Sequence, residues 1–193
     1  MEYFHCDLTG GMNALSFSTA DDPFCKASVP KFYPECVVIN REGEILAKVN
    51  HTERKNADFA MNYQDDIRDP VLKVNDDRKI QIRIGAIREP GTMILLTVRE
   101  FDNTGKPSPK EGELDRAWFR LANEETNQTI DYSLMRKVRE ESLPEDYREV
   151  IANEDDEETP PFRNELTYLH GVLYLESHAG SNRWVFESYK HCF

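Results

Sequence analysis

Apolar and polar residues alternate along much of this chain with a period of two, the spacing of a strand with one buried face. Lys79 to Ile84 (KIQIRI) puts Ile80, Ile82 and Ile84 on one face and charged or amide side chains on the other. Thr92 to Arg99 (TMILLTVR) is apolar on both faces, the pattern of a central strand covered on both sides. Cys36 to Asn40 (CVVIN) is β-branched and turns through Arg41-Glu42-Gly43 into Glu44–Val49. A loop of that length ending in glycine suits a type I turn with a bulge, because glycine takes a positive φ at little cost. Asn13–Ser18 and Ala57–Tyr63 read as further strands. The stretch between the first of these and Cys36 is broken by Pro23, Pro30 and Pro34.

The last third of the chain contains two hairpins. Arg116–Asn123 (RAWFRLAN) turns through Glu124-Glu125-Thr126-Asn127 into Gln128–Tyr132. Glu165–Glu176 (ELTYLHGVLYLE) turns through Ser177 to Asn182 into Arg183–Tyr189. Helical patterning is limited to Ser133–Glu141 and to Leu143–Ile151, with Pro144 in its first turn. Asn153–Pro161 is acidic, then Pro-Pro, and reads as an exposed loop.

Many short strands with turn chemistry between them predict an all-β fold, an antiparallel β-sandwich of two packed sheets with a short helical, acidic insertion before the last hairpin. The predicted core is Ile80, Ile82, Ile84, Ile94, Leu96, Val98, Phe119, Leu121, Leu173 and Phe186. Trp118 and Trp184 fall on strands and are expected to pack. Residues 1–34 form an N-terminal strand and a Pro-containing lead-in to the same domain. Residues 35–193 form the sandwich, including the insertion at 140–161.

Composition narrows the functional classes. The 193 residues carry a formal net charge of −12. Ten of the acids lie between Glu140 and Glu158, with Arg148 the one base in that stretch. A polyanionic chain repels phosphate backbones, so nucleic acid is not an expected partner. No apolar run approaches the roughly 20 residues of a membrane span, and the N-terminus lacks the basic and apolar regions of a signal peptide. Cys6, Cys25, Cys36 and Cys192 show no C-x-x-C spacing and read as free thiols in a reducing, cytoplasmic compartment.

The histidines His5, His51, His170, His178 and His191 lack metal-ligand spacing. His170 is expected to pack within its strand or hydrogen-bond across it. A site built from His5, Cys6, His191 and Cys192 would require the termini to meet and is not expected. No G-x-S-x-G, Walker or dinucleotide fingerprint occurs, and no nucleophile–base set is visible, so the chain is read as not an enzyme. Arg99, Arg116, Arg120 and Arg183 are candidates for cross-strand ion pairs, which contribute little when exposed.

The order of several segments resembles the tellurium-resistance TerD family. CVVINREGEI at Cys36–Ile45 is similar to the family's FLLGxDGKV hairpin, and FAMNYQ at Phe59–Gln64 to its FVFYNN. NDDRKIQI at Asn75–Ile82 resembles GDDEQIxV, and PGTMILLTVREF at Pro90–Phe101 resembles VDKIVFVVTIHD. The two closing hairpins resemble the family's NEETG–YDL and GxLY–WxF pairs. The resemblance implies a β-sandwich that binds cations or partners rather than a self-contained catalyst.

The departures concern the family's calcium-binding carboxylates. An Asp-Leu-Asp motif is replaced by residues near Lys31-Phe32-Tyr33-Pro34, with only Glu35 acidic. The second calcium loop is shortened to Asp65, Asp66 and Asp69 ahead of Asp76 and Asp77, with Lys31, Arg68 and Arg78 opposing their charge. Calcium wants six to eight oxygens, several of them anionic. At most a weak calcium site is expected at Asp65, Asp66, Asp69, Asp76 and Asp77, and no other cofactor.

The expected function is therefore a non-catalytic protein-binding or scaffold module in a larger assembly, with a cytoskeletal or ciliary setting in view. The alternative is a calcium-binding stress-response protein that keeps one cation site. The expected docking surface is Glu154, Asp155, Asp156, Glu157 and Glu158, for a protein partner with a basic surface.

Overall fold

The computed structural model of the chain describes residues 4–8, 12–21, 31–56, 60–65, 76–87, 92–101, 117–135, 137–138, 167–178 and 181–192. Eleven strands lie among them. In chain order these are β1 (Phe4–Asp7), β2 (Leu15–Ala20), β3 (Lys31–Ile39), β4 (Ile45–Val49), β5 (Met61–Asp65), β6 (Arg78–Ile82), β7 (Met93–Phe101), β8 (Trp118–Asn123), β9 (Thr129–Leu134), β10 (Thr167–His178) and β11 (Ser181–Cys192).

They form two antiparallel sheets. One has six strands in the order β1-β11-β10-β7-β3-β4, the other five in the order β5-β6-β2-β8-β9. Both predicted hairpins are present as β8–β9 and β10–β11. The second turns more tightly than expected, since the ladder continues to His178 opposite Ser181. The β3–β4 turn has the predicted form: Gly43 N–H donates to the Asn40 carbonyl at 3.1 Å and Gly43 sits at φ +82°.

All ten residues assigned to the core are 2% exposed or less. Alternation works because inward positions of both sheets interdigitate while the others face out. At the centre is an aromatic layer. Phe119 meets Tyr168 at 6.5 Å and His170 at 4.9 Å, and Phe17 stacks on His170 at 5.5 Å. Trp184 closes one side of the core, its indole N–H donating to the Ile84 carbonyl at 3.1 Å.

Several elements differ from the expectation. β3 begins at Lys31 and runs straight through Pro34 rather than starting at Cys36. β4 pairs with β3 only from Cys36 onward, so the proline lies where β3 has a single neighbour and its missing N–H breaks no ladder bond. β6 ends at Ile82, and Ile84 enters a 3-10 turn (Ile84–Ala86) while its side chain stays buried. β7 is central but not covered on both sides: Ile94, Leu96 and Val98 are buried, whereas Met93 and Leu95 are half-buried beside Val37, Ile39, Val172 and Tyr174.

β1 had no counterpart in the sequence pattern, and the N-terminal stretch 1–34 also supplies β2, the middle strand of its sheet. Of the first predicted helix, Met135, Lys137 and Val138 are helical. The second, Leu143–Ile151, and the acidic insertion lie outside the described residues. No helix among the described residues is long and apolar enough to cross a membrane.

Candidate functional site

Antiparallel pairing of β2 with β6 brings the end of one against the start of the other, Thr19 opposite Arg78. Asp21 just after β2 and Asp76-Asp77 just before β6 therefore meet at one end of the sandwich. β3 of the other sheet starts there too. The Thr19 hydroxyl donates to the Phe32 carbonyl at 2.8 Å, and Phe32 N–H donates to Asp21 Oδ1 at 3.1 Å.

Asp21, Asp65 and Asp76 each have a cation of the chain's own. The Arg78 guanidinium reaches Asp21 Oδ1 and Oδ2, both at 3.0 Å, and the Phe32 carbonyl at 3.2 Å. Burial opposes the Arg78 charge, but the Asp21 carboxylate and its hydrogen bonds outweigh this and hold the guanidinium above its ordinary range. Arg120 on β8 grips Asp76 with two parallel bonds, Nε to Oδ1 at 3.0 Å and an Nη to Oδ2 at 2.8 Å. That pair is almost wholly shielded, with side chains 12% and 4% exposed. Asp65 is held by Arg54 and by the Tyr63 hydroxyl, which donates at 2.7 Å. Burial first, and this hydrogen bond second, push the Tyr63 phenol upward. Asp77 Oδ2 accepts from Asp21 N–H at 2.8 Å.

Glu35 follows the same rule on the outer face of the six-stranded sheet. It is buried, with Lys48 at 3.0 Å and the Asn50 amide donating at 2.8 Å. Tyr33 lies between Arg78, 4.6 Å above its ring, and the His51 ring at 4.5 Å. Of the five acids expected to form a calcium site, Asp76 and Asp77 come together, and Asp65 lies in register with Arg78. Asp66 and Asp69 lie outside the described residues. Among the described residues no group of three or more His, Cys, Asp or Glu side chains is arranged to hold a metal ion. As they are held, Asp65 and Asp76 do not fit calcium, because guanidinium groups already occupy their oxygens.

Asp21 had drawn no attention in the sequence, because its partners are 57 and 11 residues away. Arg120 was expected to form an ion pair of little weight, and its burial reverses that weighting. Arg183 does pair with Glu176 in the exposed manner expected, at 2.7 Å. Arg116 and the docking acids Glu154, Asp155, Asp156, Glu157 and Glu158 lie outside the described residues. The termini do meet, β1 lying beside β11. His5 and Cys6 nevertheless register with Glu187 and Phe186, while His191 and Cys192 register with Leu169 and Tyr168.

A second polar cluster crosses the core between β9, β10 and β11. Asp131 accepts the Ser188 hydroxyl at 2.8 Å and pairs with Lys190 at 2.9 Å. Its Oδ2 lies 3.6 Å from His170 Nε2. The ladder slips here, between Leu169 and Gly171 on β10, and Lys190 takes φ +49°. The bulge turns His170 inward, fully buried, with neither ring nitrogen hydrogen-bonded among the described residues. Burial lowers the His170 pKa to about 4, with Asp131 opposing the shift and Lys190 adding to it. The expectation of packing thus holds, and cross-strand hydrogen bonding does not.

No protein-family model and no curated protein sequence matches this chain. Solved structures do. The crystal structure of a homologue of the telluride resistance protein TerD from Streptomyces coelicolor A3(2) superposes with a TM-score of 0.59, covering 92% of this chain and 88% of that one at 8% identity. The fold is TerD-like. The crystal structure of a protein of unknown function is similar as well, with a TM-score of 0.55 over 94% of this chain and 92% of that chain, at 9% identity. These likenesses concern the fold, which the segment order at Cys36–Ile45, Phe59–Gln64 and Asn75–Ile82 had already suggested.

Proposed function

We propose that this chain is a non-catalytic TerD-like binding module, a structural component of a larger protein assembly, whose carboxylates are neutralised by its own arginines rather than by calcium. The observation that carries the reading is the shielded Asp76–Arg120 pair, at an acid that the family resemblance would assign to a calcium loop. Asp21–Arg78 and Asp65–Arg54 repeat the substitution nearby. A carboxylate held by a guanidinium in a shielded place releases it only at a large cost, since an unpaired buried charge is destabilising by several kcal/mol. The partner is a protein with a basic surface, docked on Glu154, Asp155, Asp156, Glu157 and Glu158.

Calorimetric titration of the intact chain with calcium tests the first part. Only weak, unsaturating heats are expected. A saturable micromolar site, lost when Asp76→Asn and Asp77→Asn are combined, would overturn the proposal and restore the calcium-binding stress-response reading.

A further inference from the structure

The outer face of the six-stranded sheet is apolar where an outward face would ordinarily be polar. Two register rows cross it. One runs Lys48–Val37–Leu95–Val172–Glu187, and the next runs Ile45–Ile39–Met93–Tyr174–Val185. Both alternate with Val38, Ile94, Leu173 and Phe186, which point into the core. Ile45 is 67% exposed and Leu46 50%, the most exposed large apolar side chains among the described residues. Met93, Leu95 and their neighbours on β3 and β10 keep part of their surface open.

A contiguous apolar face with polar ends marks an interaction surface. Edge-to-edge pairing is not the way it is used. β4 ends its sheet among the described residues, but its register with β3 slips between Val38 and Ile39, and a bulge and a lysine on an edge strand both oppose strand addition. Packing of the face itself remains. The first row is symmetric about Leu95, with the cation Lys48 two strands away on one side and the anion Glu187 two strands away on the other. Lys48 already pairs with Glu35, and Glu187 accepts the Tyr174 and Tyr189 hydroxyls. Neither has to be unpaired, since an ammonium and a carboxylate can each hold more than one partner.

We propose that this face packs against the same face of a second copy of the chain, about a two-fold axis running along β7. The axis lays β4 of one copy over β11 of the other. Lys48 then meets Glu187 of the second copy, and the reverse pair forms by symmetry. Ile45 lies over Val185, and Met93 and Leu95 pack on their own counterparts at the centre. Sheets packed face to face stand about 10 Å apart with their strands aligned within about 30°, a gap that a lysine and a glutamate reaching towards each other span. The other acids of a chain with net charge −12 are screened over about 8 Å at physiological salt. The interface does not depend on how the acidic segment is used.

Sedimentation equilibrium of the full chain, from about 1 µM to about 1 mM, tests the proposal. A monomer–dimer equilibrium with a dissociation constant of roughly 10–100 µM is expected, as for the smaller protein interfaces. Ile45→Glu, at an exposed position, should leave the melting temperature unchanged and weaken the dimer at least about tenfold. Isotope-filtered NMR on a mixture of labelled and unlabelled chains should show the Leu95 methyls of one copy against Met93 and Leu95 of the other. A chain still monomeric at about 1 mM would overturn the proposal and leave the face to a different protein. A dimer that Ile45→Glu leaves intact would overturn it too. So would a dimer that dissociates steeply with salt, which would place the contact on the acidic segment instead.

Discussion

Acidification is expected to destabilise this fold through His170, and the size of the effect follows from where that residue sits. The imidazole is enclosed by Phe17, Phe119 and Phe186, with no hydrogen-bond partner among the described residues and a pKa lowered to about 4. The unfolded chain returns it to its ordinary value near 6.5, so between these limits the unfolded state binds the extra proton. Stability is then complete above about pH 6.5, falls as the pH drops towards 4, and levels off below. From about pH 8 to about pH 4.5 the loss is about 2.5 kcal/mol, at 1.36 kcal/mol per pKa unit. For a domain of this size that lowers the melting temperature by about 5–10 °C.

Urea unfolding of the wild-type chain and of His170→Leu, followed by circular dichroism at several pH values, isolates the effect. The substitution nearly conserves volume and removes the titration, so its stability should vary much less over the window, whatever its absolute value. Carboxylates titrate mostly below this range and are common to both proteins. Equal pH slopes in the two proteins would refute the reasoning and place His170 in a solvated site.

Other substitutions test other parts of the fold. Arg120→Met strands the shielded Asp76 carboxylate and is expected to destabilise by about 3–5 kcal/mol in denaturant unfolding; a change below 1 kcal/mol would show the pair to be solvated. In that variant, millimolar calcium should raise the melting temperature more than in the wild type, because the freed oxygens gain a ligand that binds only the folded state. Gly171→Ala would place a methyl 2.3 Å from the Glu187 carbonyl and 2.5 Å from the Phe186 ring, so a loss of about 3 kcal/mol is expected. Neutralising Glu154, Asp155, Asp156, Glu157 and Glu158 should leave the melting temperature unchanged and abolish salt-sensitive binding to a lysine-rich peptide; unchanged binding at low salt would move the interface elsewhere.

The strands were legible because each writes its burial into a local period of two. That is why Ile80, Ile82 and Ile84 could be placed in the core, although Ile84 leaves the strand. What alternation does not carry is which strands are neighbours. Nothing near Pro34 in the sequence says that β4 stops short of it, and that fact alone lets the strand continue. The ion pairs were obscured for the same reason. Asp21 and Arg78 are 57 residues apart, and Asp76 and Arg120 are 44 apart. The bulge at His170 has a weak local sign in Gly171, whose missing side chain admits the Glu187 carbonyl and the Phe186 ring.

The proposed exchange of a bound ion for a guanidinium would change how such a module behaves. A site that needs calcium contributes stability that rises with calcium concentration relative to the dissociation constant, so the fold and any surface built on it follow the ion. Arg78 and Arg120 are covalently attached and cannot dissociate from the acids they hold. Arg78 ties the end of β2 and the start of β6 to the start of β3, and Arg120 ties β8 to Asp76 just before β6. Under the proposed function, a binding surface resting on this frame would need no ion to form. Regulation of such binding would then act on the surface itself, through charge on the partner or modification of it, rather than through the frame beneath.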